Sequence, residues 1–403
     1  MSTLQILHQP PISAASFSPR QYMDDSKTLF CFLMTLLHVS TASTRVFPSI
    51  NCYFPAIYNF GASNSDTGGL AAAFIQFKPP NGITYFGKPA GRMCDGRLII
   101  DFTAESLKLP FLGSYLNSLA INFKHGANFA TAGSTVTFPT NIIPKGRTSP
   151  FNLGVQCLQF AQFKIRSQII RSQGGVYAEL MPREEDFAKA LYTFDIAQND
   201  ILNALYLNMT LPQVMATFPQ LVNQFSKHIR DLYNLGARSF WVYNTRPFGC
   251  FPVILTIFPA AEKDSAGCAK EYNDLAQAFN AQLKNALDQL RPELRSATIV
   301  YVDIYSPLYS LYTDPVKNGF ESPLVACCGH GGEFNYNMAA ACGQTITVKG
   351  VDITVGSCQD PSVRVSWDGV HFTDAANRFV FDRVSTGQFS TPPIPLKLAC
   401  CSG

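Results

Sequence analysis

Four short apolar runs recur along the 403-residue chain: Phe54–Phe60 (FPAIYNF), Leu191–Ile196 (LYTFDI), Ser239–Tyr243 (SFWVY) and Thr298–Ile304 (TIVYVDI). Each is of strand length and nearly continuous in its hydrophobicity, the pattern of a strand buried on both faces. Between them lie segments long enough for helices, among them Leu211–Leu235 and Cys268–Leu290, which carry helical patterning. Strands alternating with helices predict an α/β fold, a parallel sheet covered on both sides in a three-layer α/β/α sandwich. With 47% hydrophobic and 15% charged residues the chain can bury one large core, so residues 43–403 are expected to form one domain. No internal repeat interrupts them, and the Pro-rich stretch Thr391–Pro395 is expected to wrap the surface.

The segment 1–42 reads differently. Leu29–Val39 (LFCFLMTLLHV) is an apolar run of signal-peptide length, too short to span a bilayer, and the small residues Ser40–Ser43 follow it. Cleavage is expected near Ala42, and the polar residues ahead of Met23 read as an extension of an ordinary leader. Export would make disulfides the expected fate of most of the twelve cysteines, with at least one thiol unpaired once Cys31 is removed. Cys327, Cys328, Cys342 and Cys358 lack the spaced pairs of a zinc site and read as disulfides, not as metal ligands. Asn208-Met209-Thr210 is a glycosylation sequon, which matters for an exported chain. The net charge of +3 is spread out, without a basic stripe, which argues against nucleic acid as a partner.

Ligand sites of parallel sheets gather beyond the carboxyl ends of the strands, so the polar residues that follow the apolar runs are the first candidates. After the first run comes Gly61-Ala62-Ser63-Asn64-Ser65-Asp66, with Ser63 at a strand-to-helix turn. After the second comes Ala197-Gln198-Asn199-Asp200, where Asn199 offers a side-chain amide that can donate to an oxyanion or simply cap a helix. The third is Trp367-Asp368-Gly369-Val370-His371, ahead of a helical segment Thr373–Asp382. An Asp three residues before a His can turn back onto the imidazole and fix its tautomer, leaving the other nitrogen for a serine. Of the six histidines, His371 alone has a carboxylate so placed in sequence; His8 and His38 precede the mature chain, His125 lies in a Gly/Asn loop, His228 lies mid-helix and His330 among cysteines.

Serine early, amide midway and Asp-x-x-His late form a specific arrangement. The blocks FPAIYNFGASNSDTGG, GANFATAGS, YTFDIAQND, SFWVYNTRPFGCFP, ACCGHGGEFNYN and SWDGVHFTDAANRFVF resemble successive signature blocks of the plant GDSL esterase/lipases, within the SGNH hydrolases. They are most similar to the branch holding early-nodulin-like, acetylesterase-like and alpha-fucosidase-labelled proteins. The resemblance runs from about Phe54 to the C-terminus. It implies a flavodoxin-like sandwich and a triad of Ser63, His371 and Asp368, with an oxyanion hole formed by the Ser63 and Gly133 backbone N–H groups and the Asn199 side chain. It also implies hydrolysis of small-molecule carboxylic esters (acylated metabolites, cell-wall esters or lipids) outside the cell, in the apoplast or cell wall, without a cofactor.

Two positions depart from the family pattern. Ala62 stands where the family has Asp, and Ala197 where it has Gly, a costly change if that position needs a positive φ. A catalytically impaired binding or defence protein is therefore one alternative to hydrolysis; acyl transfer by the same triad is another, since an acyl-enzyme can pass its acyl group to an alcohol if the site excludes water. The G-x-S-x-G signature of α/β-hydrolases is absent. Gly82–Lys88 mimics a phosphate loop, but Pro89 stands where a hydroxyl would be needed, and Arg183–Asp186 reads as a solvated helix face. Tyr85, Phe86, Trp241 and Phe248 read as core before they read as pocket.

Overall fold

The computed structural model describes residues 52–119, 122–139, 142 and 148–400. The leader reading of 1–42, with Cys31, His8 and His38, lies outside them, as does Cys401. Residues 51–403 form one compact unit.

All four apolar runs are strands: β1 (Ile57–Gly61), β3 (Leu191–Asp195), β4 (Ser239–Tyr243) and β5 (Thr298–Val302), every residue of them buried. A further parallel strand, β2 (Gly126–Asn128), lies outside the four runs. It is three residues of GAN, too short and too polar to register as an apolar run. In the sheet the order is β2-β1-β3-β4-β5-β8. The last strand, β8 (Ser390–Thr391), runs antiparallel to β5, so the Pro-rich tail supplies a sheet edge before it crosses the surface. Pro392 and Pro393 suit that place, since an edge strand can lack ladder donors. A separate exposed hairpin, β6 (Thr345–Val348) with β7 (Val351–Thr354), lies off the sheet.

The order 2-1-3-4-5 is that of a doubly wound sheet, and it sets the site. The chain steps from β1 outward to β2, then crosses to the other side of β1 to place β3. The connections therefore part between β1 and β3, the switch point beyond whose carboxyl ends sheets of this kind bind their ligands. The helices follow from amphipathic patterning. The segment 211–235 is two helices, Leu211–Met215 and Phe218–Asn234, because Pro219 favours a helix start and the break falls just before it. Of the charge run, Glu184 and Glu185 are exposed, but Asp186 is buried and accepts from the Arg183 N–H to cap the helix Glu184–Lys189. Trp241 and Phe248 are core, whereas Tyr85 and Phe86 lie against the guanidinium groups of Arg97 and Arg92.

On one face of the sheet, aromatic side chains from adjacent strands stack. Phe60 lies between Phe129 and Phe194, with ring centroids at 5.3 and 5.1 Å, and meets Phe160 edge-on. Disulfides join Cys52 to Cys400, Cys250 to Cys268, Cys327 to Cys358 and Cys328 to Cys342; Cys94 and Cys157 are buried free thiols. Burial pushes both thiols above their ordinary pKa, which disfavours the thiolate form. Phe60→Ala is expected to lower the unfolding free energy in urea titration by about 3–5 kcal/mol. Phe138→Ala, at an exposed ring, is expected to change it by less than about 0.5 kcal/mol; equal losses would contradict the packing described.

Candidate active site

Ser63 lies two residues past β1, in a turn that is fixed from below. The Gly61 N–H donates to Gln156 Oε1 at 2.9 Å, and Gln156 Nε2 donates back to the Gly61 carbonyl at 2.9 Å. A Cβ on Gly61 would sit 2.4 Å from the Asp195 carbonyl oxygen, so only glycine allows β1 and β3 to close here. The Ala62 N–H donates to that same carbonyl at 2.9 Å, and the Ser65 N–H donates to the Ala62 carbonyl at 3.0 Å. Ser63 itself is 5% exposed. The following helix, Gly69–Ala73, is capped by Asp66, whose carboxylate accepts from the N–H groups of Gly68, Gly69 and Leu70.

The loops after β2 and β3 are stitched to this turn. Asp66 also accepts from the Ala132 N–H at 2.7 Å, and the Thr131 N–H donates to the Gly61 carbonyl at 3.2 Å. Burial raises the Asp66 pKa; its four N–H donors lower it, leaving a net upward shift. Gly133, next in this loop, takes a left-handed φ of 82°. Asn199 is in the first turn of the helix Gln198–Tyr206, and its Nδ2 donates to the Ser134 carbonyl at 2.9 Å. Ser63, Gly133 and Asn199 thus come from loops at the carboxyl ends of three adjacent strands. Beneath them Asn128 Nδ2 donates to the Ser65 carbonyl and to Thr67 Oγ1, and Asn59 donates to Asn128 Oδ1 and accepts from Thr193.

Asp368 and His371 form a tight turn ahead of the helix Asp374–Val384. The Trp367 N–H donates to the His371 carbonyl at 2.8 Å, closing the turn, and Gly369 takes φ 92° with the Tyr336 ring packed against it. Asp368 Oδ1 accepts from the N–H groups of Val370 and His371, and Oδ2 lies 2.7 Å from His371 Nδ1. Burial pushes the Asp368 carboxyl up, but its interaction with the His371 ring and these hydrogen bonds together outweigh it and hold the group below its ordinary pKa. It is a carboxylate at neutral pH. Trp367 anchors the turn, with Nε1 donating to Asn81 Oδ1 at 2.9 Å.

Two charged residues that sequence reasoning passed over connect the site. Arg246, after β4, is buried and bidentate to Asp195, both contacts at 2.7 Å, and its guanidinium lies 5.7 Å from the Phe372 ring centroid. It therefore spans the end of β3 and the residue beside His371. An arginine in the run NTRPFGC gives no sign of that role, although Asp195 closing an apolar run is a visible anomaly. Of the other described histidines, His125 Nδ1 meets the Pro55 carbonyl ahead of β2, and His228 is buried in the helix Phe218–Asn234.

With this geometry in place, comparison supplies the class. Residues 57–384 match the family model "GDSL-like Lipase/Acylhydrolase". The chain belongs to that family and is a carboxylic ester hydrolase by class. It is 58% identical to an esterase of Hevea brasiliensis, covering 92% of this chain and 93% of the relative. It is 56% identical to the GDSL esterase/lipase ENOD8 of Medicago truncatula, covering 91% and 96%. It is also 49% identical to the Alpha-L-fucosidase 3 of Arabidopsis thaliana, covering 88% and 96%.

Ala197 has φ 85°, a left-handed conformation in which a methyl group costs about 1–2 kcal/mol. Ala197→Gly is expected to raise the unfolding free energy by about 0.5–1 kcal/mol in urea; a decrease would contradict this reading of the turn. Asp200 accepts from the Val136 and Thr137 N–H groups and the Thr137 hydroxyl, and enclosure of its carboxyl pushes the pKa to about 6 despite these donors. Because the folded value lies above the unfolded one, this group contributes stability that is present in acid and lost as pH rises from about 4 to 6. Between pH 4.5 and 6.5 the wild type is expected to lose about 2 kcal/mol relative to Asp200→Asn; parallel urea midpoints would contradict this.

Proposed function

We propose that the protein is a secreted esterase in which Ser63 is the nucleophile, His371 the general base and acid, and Asp368 the orienting carboxylate. The observation that carries the reading is the 2.7 Å contact of Asp368 Oδ2 with His371 Nδ1, made by an ionised carboxylate. It assigns the proton to Nδ1 and leaves Nε2 as the acceptor for the Ser63 hydroxyl. Ser63 Oγ attacks the ester carbonyl as Nε2 takes its proton. The tetrahedral oxyanion accepts from the N–H groups of Ser63 and Gly133 and from Asn199. An amide nitrogen carries two hydrogens, so Asn199 keeps one for the oxyanion while the other binds the Ser134 carbonyl. Collapse expels the alcohol, which takes the proton from Nε2, and water activated by His371 then releases the acid and restores Ser63.

The departure at Ala62 bears little on this chemistry, because the turn is held through the backbone of residue 62 at both its N–H and its carbonyl. That favours an active enzyme over an impaired binding protein. Glycosidase chemistry by the paired carboxylates Glu184 and Glu185 has no support: their helix leads into the amino end of β3, away from the carboxyl ends of the strands.

The expected substrates are small acylated metabolites, cell-wall esters or lipids. Export to the apoplast or cell wall is supported by the four disulfides and the leader-like segment 1–42, and Asn208 is an exposed glycosylation acceptor in the turn before the helix Leu211–Met215. Secreted wild type is expected to hydrolyse p-nitrophenyl acetate, with Ser63→Ala reducing turnover at least about 10³-fold. Asn199→Ala is expected to lower kcat by about 10²–10³ with KM little changed. A folded Ser63→Ala with wild-type rates would exclude the triad.

A further inference from the structure

We propose that the cavity on the Asp368 side of the site is the subsite for an apolar group of the ester, which makes Met93 and Leu70 determinants of specificity. The proposal rests on the hydrolase reading above. The cavity has a volume of about 310 Å³, at the small end of ligand sites. Its walls are mostly carbon: Leu70, Ile75 and Phe77 from the segment after Ser63, Met93 opposite, and Ala341 and Cys342 from the loop leading to the β6–β7 hairpin. Asp368 closes one side, and its side chain keeps 13% exposure.

Two connections tie this space to the reacting groups. Leu70 donates its N–H to Asp66, three residues beyond Ser63, and Asp368 is hydrogen-bonded to His371. The cavity is therefore lined both by the helix that follows Ser63 and by the turn that carries Asp368 and His371. Its far wall is held open. Cys342 is bonded to Cys328 and Cys358 to Cys327, so both ends of the hairpin segment are fixed to adjacent residues. Cys327 and Cys328 in turn donate their N–H groups to the carbonyls of Ser366 and Trp367, immediately before Asp368. Gly343 packs so closely on Pro79 that a Cβ would lie 2.6 Å from its carbonyl oxygen, which joins the wall to the loop carrying Phe77 and Lys78.

An apolar group entering this space displaces water from carbon walls, so each methylene buried should raise kcat/KM about fourfold until the cavity is full. A substituent lodged there also covers the remaining exposure of Asp368. The ligand class is thus an ester with a short or medium alkyl chain, or a single aromatic ring, on either its acyl or its alcohol side.

The test uses the secreted full chain and two series: p-nitrophenyl esters with acyl chains of graded length, and acetates of graded alcohols followed by pH-stat. The proposal predicts a rise of about fourfold per methylene in one series, then a plateau. Met93→Trp, which fills the space, should cut the preference for longer over shortest substrate at least about tenfold, and Met93→Ala should move the plateau to longer groups. Ser63-dependent hydrolysis with flat profiles in both series, or unchanged profiles in both variants, would overturn the subsite and leave the esterase standing. Hydrolysis that persists in Ser63→Ala would overturn the esterase reading and the subsite with it.

Discussion

The site depends on one close approach, that of the β1 carboxyl end to the end of β3 at Gly61. With no Cβ, Gly61 lets the Asp195 carbonyl come near enough to take the Ala62 N–H, and this fixes the backbone immediately ahead of Ser63. Gln156 then holds Gly61 by both its N–H and its carbonyl, a two-point clamp from a helix 95 residues further along the sequence. A buried amide that meets both polar groups of a strand end is a strong fixture, since losing either partner would leave a buried group without a hydrogen bond. Ser63, the proposed nucleophile, therefore stands on a backbone held from outside its own loop.

The same principle extends around the site. Asn59, Asn128 and Thr193, one from each of three neighbouring strands, form a buried polar line across the sheet, and its outer end holds the carbonyl of Ser65. Asp66 binds the β1 loop to the β2 loop, and Asp195 with Arg246 binds the β3 end to the β4 loop. Burying such groups is expensive unless each is paired, and here nearly every one meets partners across strands, which exchanges hydration for fixed geometry. Arg246 Nε is an exception, buried without a partner. The turn of the proposed triad is made differently: Asp368 and His371 meet through a local turn, and its position is set by Trp367 and two disulfides.

Much of this was legible in the sequence because it is carried by pattern. The four apolar runs became strands because a parallel sheet covered by helices buries both faces of such segments, and Asp-x-x-His reads as a turn because three residues are the span a capping carboxylate covers. The strand Gly126–Asn128 was illegible, being too short to show a period and stabilised by pairing with β1. The break at Thr217, the inward turn of Asp186 and the antiparallel edge at Ser390–Thr391 escaped for a related reason: each is decided by tertiary contacts that a local window does not contain. Gln156, Arg246 and the cavity beside Asp368 are likewise products of assembly. The departure at Ala197 could be seen, and its cost follows from a φ that only the fold supplies.

The central claim, that His371 activates Ser63 beyond the carboxyl ends of β1 and β3, is tested most directly by labelling with a fluorophosphonate and locating the adduct by peptide mass spectrometry. The account predicts one equivalent of phosphonate on Ser63 in the wild type and a loss of labelling in folded His371→Ala, because Ser63 then has no base. Labelling on another serine, or undiminished labelling of Ser63 without His371, would contradict it.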